Sequence, residues 1–175
     1  MNTLATIKSR RAVREWATTD VTDEVINQVL DAARYAPSPL NVQPWHFIVI
    51  RNADTIKKIM GAAKHGTFAA EAPVIIIGTA LNGNTADEWL YEHEPNIYNF
   101  STVCAMENMW LSLADLQLVG CWVTLNKDVA KEILAIPITH QIVGSLAIGY
   151  KKEVSPIHKP VERNPLSQIM SYETF

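Results

Sequence analysis

Pro73 is followed by Val74, Ile75, Ile76 and Ile77, then Gly78 and Thr79. Four consecutive β-branched side chains favour an extended backbone and leave neither face of that strand polar. A strand of this kind, expected over 74–79, has to be covered on both sides. Segments with helical spacing lie before and after it. Thr22 is a candidate N-cap, with Asp23 and Glu24 in the first turn, where negative charge suits the helix dipole. Val25, Ile26, Val29, Leu30 and Ala33 then form one apolar face, and Pro37 ends the helix. A short helix is expected over 54–63, with Ile56, Ile59 and Met60 facing inward. A long central helix is expected over 101–118. It carries Val103, Met106, Met109, Trp110, Leu113 and Leu116 in a stripe broad enough to predict burial. A further helix over 127–134 is stopped by Pro137. Strands are expected over 45–50, 120–123 and 142–150. This interleaving predicts a single domain built as a sheet with helices on both faces.

Several chemistries are excluded or disfavoured. The formal charge of −3 gives no reason to expect nucleic acid or an anionic membrane as partner. The longest apolar run, 73–78, is strand-sized rather than membrane-spanning, and residues 1–14 lack a signal-peptide core. The expected compartment is cytoplasmic. Cys104 and Cys121 are spaced neither as a redox pair nor as zinc ligands, and the five histidines form no metal-ligand pair. No Gly-x-Gly-x-x-Gly, no Gly-Lys-Ser/Thr loop and no Gly-x-Ser-x-Gly elbow occurs. A phosphate held by this chain must therefore be held by side chains.

Two segments invite that role. In Ser9-Arg10-Arg11-Ala12-Val13-Arg14, Arg10 and Arg14 point the same way whether the segment is helical or extended, because the interval of four suits both periods. The planar guanidinium fork suits phosphate. A solvated basic turn explains the same residues about as well. Ala36-Pro37-Ser38-Pro39-Leu40-Asn41-Val42-Gln43-Pro44-Trp45 joins a helix end to a strand start. Its prolines make it stiff, so Ser38, Asn41 and Gln43 lose little entropy if they grip a planar ligand. A rigid connector that satisfies its own turn is the plainer account. Gly120 beside Trp122 offers a close backbone approach, and Arg163 stands alone in a proline-rich tail. Glu88, Glu92 and Glu94, with Trp89, Tyr91 and His93, read as a solvated loop or a lid within 81–99.

These residues resemble the nitroreductase family of FMN enzymes over nearly the whole chain. The segment 36–45 is close to the family's Ala-Pro-Ser-x-x-Asn-x-Gln-Pro-Trp, and it follows an Arg-Arg-x-x-Arg opening at the expected distance. Glu71-Ala72-Pro73-Val74, Glu107-Asn108, Cys121-Trp122, Ile148-Gly149-Tyr150 and Arg163-Asn164-Pro165-Leu166 add to the match. The resemblance implies an α+β fold, a three-layer α/β/α sandwich around a mixed, mostly antiparallel sheet. It implies a single domain over 1–175 and an intertwined homodimer in which the tail, 151–175, extends over the partner. It implies that Arg10 and Arg163 hold the FMN phosphate, with Arg11 and Ala12 beside them. Arg14 would lie at the pyrimidine edge, with Lys64 and His65 as further contacts there. Backbone of Trp122, Val123 and Thr124 would approach the N5 edge. Pro37, Ser38, Pro39, Asn41 and Gln43 would reach the flavin of the partner subunit. The implied reaction is ping-pong hydride transfer from NADH or NADPH to a small acceptor such as a nitroaromatic or a quinone. No side chain is implied as catalytic and no metal is expected. The alternative is a flavin-binding sensor or storage protein without turnover. The chain departs from the family pattern at Ala12 and Pro39, where serines are common. Gln117 and Val119 stand in place of glycines, and Val161 in place of a cation that Lys159 would have to supply.

Overall fold

A computed structural model of the chain describes residues 2–82, 88–153 and 161–175. Lys159 and part of the 81–99 segment lie outside them. The helices are α1 (Thr3–Ser9), α2 (Asp23–Ala33), α3 (Ala53–Gly61), α4 (Glu88–His93), α5 (Ile97–Ser112) and α6 (Lys127–Ile133). The strands are β1 (Trp45–Ile50), β2 (Val74–Leu81), β3 (Leu118–Val123) and β4 (His140–Tyr150). They form one sheet in the order β1-β2-β4-β3, antiparallel throughout. The one parallel pairing among the described residues is an isolated bridge from Ala12 to Gly120.

The two-sided strand organises the molecule as expected. Val74 through Ala80 are buried without alternation. Val74 and Ile76 of β2, with Leu146 and Ile148 of β4, pack against Val29 and Ala33 of α2 and Met106 and Met109 of α5. On the opposite face, Ile75, Ile77, Ala147, Cys121 and Val123 pack against Ile56, Ile59 and Met60 of α3 and Ala130 of α6. This is an α+β, three-layer α/β/α arrangement. Each fully buried isoleucine contributes roughly 1.5–3 kcal/mol relative to exposure, so β2 is the strand on which the sandwich most depends.

Several expectations need correction. The long helix runs from Ile97 to Ser112 rather than over 101–118, because Leu118 already opens β3. Its burial is one-sided: Met106 and Met109 are fully buried, but Phe100 and Val103 are exposed. Thr22 precedes α2 as N-cap without a side-chain capping bond. That helix ends at Ala33, with Arg34 as its C-cap. Pro37 lies beyond that end, and its ring would clash with the Ala33 carbonyl if the helix continued.

Residues 10–17 settle the choice left open above. Arg10 is the C-cap of α1 with extended dihedrals. From there the chain runs beside the sheet. Val13 N–H donates to the Gly120 carbonyl at 3.0 Å, and Ala17 N–H to that of Tyr150 at 2.9 Å. The basic motif is thereby fixed to the β3 edge.

Candidate functional site

Anchoring residues 12–17 on β3 and β4 gathers cations from two distant parts of the chain. A cavity of about 380 Å³ opens between the end of α1, the end of α5 and the start of β3. Arg10, Arg11 and Lys151 line it, with Ser9, Thr6 and the backbone at Gly120. Among the described residues no carboxylate lines it, and its floor includes Val13, Trp110, Leu113 and Leu118. Such a volume, apolar below and cationic at the rim, suits a ligand with an anionic end. Three positive charges with no carboxylate in the lining suit a phosphate group such as the tail of FMN.

Each cation is held differently. The Arg10 guanidinium lies 4.1 Å from the ring centroid of Trp110, and its Nε is 3.9 Å from Glu107 Oε1. Arg11 Nη1 donates to the carbonyls of Lys8 and Arg10, each at 2.8 Å. It thereby satisfies carbonyls left over at the end of α1. Lys151 follows β4 directly and pairs with Trp16 in an antiparallel bridge.

Contrary to the expectation that Arg10 and Arg14 point the same way, Arg14 does not line this cavity. Its guanidinium sits 5.4 Å from the Phe68 centroid, and Phe68 in turn stacks on Trp16 at 6.4 Å. The Trp16 indole N–H is buried and has no partner among the described residues. Gly66 packs so closely on the Thr124 carbonyl and Val123 that a Cβ would overlap the Thr124 oxygen at 2.5 Å. The turn carrying Lys64 and His65, both exposed, is therefore pinned to Val123–Thr124 on the same side as Arg14. The Cys121 thiol lies within this region. Burial pushes its pKa up, while the nearby Arg14 and Arg10 charges oppose the shift. The Trp122 indole packs on the other face of the sheet, over Gly144, where no Cβ fits.

The proline-rich loop lies elsewhere. It leads into β1, and β1 and β3 are opposite edges of the sheet, about 14 Å apart at three strand spacings. Leu40, Asn41 and Gln43 all have positive φ, at 49°, 56° and 51°. Strain concentrated at neighbouring non-glycine positions is typical of a loop shaped for binding. Ser38 Oγ accepts from Gln43 N–H at 3.0 Å, and Gln43 Nε2 donates to the Asn41 carbonyl. Pro37 is exposed and Pro39 half-buried. Arg163 is exposed in the tail and makes no hydrogen bond or ion pair among the described residues. The structure thus brings together Arg10 and Arg11 at the cavity, and separately Ala12 and Arg14 with Phe68, the 64–66 turn and 123–124. It brings neither the 37–43 loop nor Arg163 to them within one chain.

Sequence reasoning overlooked Lys151 and Phe68, and read Trp110 only as core. Lys151 sits one residue past the expected last strand. Nothing in the sequence says that residues 12–16 run alongside it.

A family model described as the nitroreductase family matches residues 7–73 and 60–150. A Methanothermobacter thermautotrophicus protein provisionally named NADH dehydrogenase/NAD(P)H nitroreductase is 42% identical over 122 residues, 70% of this chain. The aligned stretch spans 60% of that relative's length, under two thirds. Among solved structures, a nitroreductase family protein of Clostridium difficile 630 superposes with a TM-score of 0.80 at 28% identity, covering all of both chains. A structure described as an FMN-dependent nitroreductase from Clostridium difficile R20291 superposes with a TM-score of 0.79 over 98% of this chain and 99% of its own. At 20% identity that likeness concerns the fold alone.

Proposed function

Because this chain belongs to the nitroreductase family, we propose that it is an FMN-dependent oxidoreductase that passes electrons from NADH or NADPH to a small acceptor such as a nitroaromatic or quinone. The observation that carries this reading is the acid-free cavity rimmed by Arg10, Arg11 and Lys151. The two substrates use one site in turn, which is ping-pong kinetics.

Bound FMN supplies the two-electron redox chemistry. The chain's own residues bind and tune. Arg10 and Lys151 take the phosphate, joined by Arg163 from the tail, while Arg11 stiffens the turn that presents Arg10 and Ala12. Arg14 stabilises negative charge at the pyrimidine edge. Lys64 and His65 flank that edge, and backbone at Trp122, Val123 and Thr124 borders the opposite one. No side chain acts as nucleophile or metal ligand.

The reading also calls for a homodimer. Pro37, Ser38, Pro39, Asn41 and Gln43 stand on the far sheet edge from the arginines, so they serve the site of a second copy. Exposed apolar residues support this: Leu40 and Val42 in the loop, Phe100 and Val103 on α5, and Leu166, Ile169, Met170 and Tyr172 in the tail. So many apolar side chains left in water are unusual for a monomer.

The absorption spectrum of the purified protein tests the proposal. It is expected to show oxidised flavin, to bleach on adding NADH or NADPH under nitrogen, and to recover on adding a quinone. A flavin that no nicotinamide bleaches would make the chain a sensor or store instead. A colourless protein that takes up no added FMN would end both readings.

A further inference from the structure

We propose that Trp110 is a positioning residue for Arg10: its indole is the platform that holds the guanidinium flat at the mouth of the cavity, with the fork free for an anion. This rests on reading the cavity as the phosphate end of the FMN site.

The geometry has three parts. Glu107 and Trp110 are three residues apart on α5, so they present to the same side of the helix. The Arg10 guanidinium carbon is 4.1 Å from the Trp110 centroid, well inside cation–π range. Its Nε is the nitrogen turned toward Glu107, and its terminal Nη groups donate no hydrogen bond among the described residues. Trp110 and Arg10 both line the cavity.

An indole seat differs from a carboxylate seat in one respect that matters here. An aromatic face orients a cation without neutralising it, so the positive charge stays available to a phosphate. A carboxylate in tight contact would occupy the same donors and repel the ligand. Glu107 is 3.9 Å away and its side chain is 46% exposed, so it steers one edge of the guanidinium and does little more. Arginine on a short turn would otherwise sample many rotamers, and holding it in place beforehand lowers the entropy lost on binding. If Trp110 served the core alone, its replacement would alter stability but not the discrimination between ligands that differ only in a phosphate.

The test compares FMN with riboflavin, which lacks the phosphate, by fluorescence titration of the purified full chain. Trp110→Met keeps bulk and removes the aromatic face; Trp110→Phe keeps a face. Trp110→Met is expected to weaken FMN binding about five- to tenfold, in line with the loss of a partly buried cation–π contact, and to leave riboflavin binding unchanged. Trp110→Phe is expected to stay within about threefold of the unmodified protein, as a weaker π face still orients the guanidinium. Equal weakening of both flavins, no change for either, or a Phe variant as impaired as the Met variant would overturn the platform role. Should Trp110→Met fail to fold, Trp110→Leu, which also removes the aromatic face, takes its place in the same comparison of the two flavins. If the unmodified protein binds neither flavin, it is the cofactor reading that fails, a result distinct from all of these.

Discussion

Arg10, Arg11 and Arg14 are three like charges within five residues, and the fold gives each a separate means of support. Arg10 lies on an indole, Arg11 caps α1 and Arg14 lies on Phe68. The sequence pattern located the cluster because arginine spacing is local. It did not reveal the supports, since Trp110, Phe68 and Lys151 are brought there by packing between distant segments. Glu107 has a consequence that pH exposes. Burial raises its pKa above the ordinary value of 4.5, outweighing the opposing pull of Arg10. The folded state therefore binds this proton more tightly than the unfolded chain does. Its contribution to stability falls as pH rises from about 4.5 through the raised folded value. Glu107→Gln mimics the protonated form, so flavin-free Glu107→Gln should melt at a higher temperature than the unmodified protein at pH 7. The gap should close below pH 4.5. Thermal melts across that range check this, and a variant less stable at pH 7 would contradict it.

At the scale of elements, legibility followed the strength of local pattern. β2 was readable because a run of β-branched residues has one reasonable fate. α2 and α3 were readable because their apolar residues recur at helical spacing and the buried ones, Ile26, Val29, Ile56, Ile59 and Met60, are those expected. α1 was not, since only Thr6 of its seven residues is buried and its sequence carries no apolar stripe. α5 was misplaced at both ends because its apolar residues surround it: some meet the sheet, while Phe100 and Val103 face outward. Periodicity cannot distinguish a face that meets the core from one that meets another chain. The turn between α5 and β3 holds a second lesson. Gln117 sits at φ 58°, where the family pattern has glycine. A side chain in the left-handed region costs about 1–2 kcal/mol, partly offset by the extra chain entropy glycine loses. Gln117→Gly should stabilise the fold by about 0.5–1 kcal/mol. Urea unfolding measures it, and an unchanged or lower midpoint would show that the turn is not strained.

The whole molecule is legible only in part from one chain. The sandwich closes on itself, but the loop at 37–43 and the tail after 161 do not pack into it: Leu40, Leu166, Ile169 and Tyr172 remain exposed. The tail from 161 to 175 is exposed at every residue. Apolar side chains left in water contribute nothing to hold it, so under the homodimer proposed above its order comes from the second copy. Removing residues 166–175 should convert a dimer into a monomer and abolish tight flavin retention together. Analytical ultracentrifugation and the flavin absorbance of the same sample check both at once. A truncated protein that stays dimeric and yellow would show that the tail is dispensable. No helix among the described residues is long and apolar enough to cross a membrane.

In the proposed holoprotein, guanidinium groups from the two ends of the fold meet on one phosphate. A crystal structure of the FMN-loaded protein measures it directly. Phosphate oxygens are expected about 2.7–2.9 Å from the guanidinium nitrogens of both Arg10 and Arg163. FMN bound with its phosphate elsewhere, and both side chains in bulk water, would contradict it.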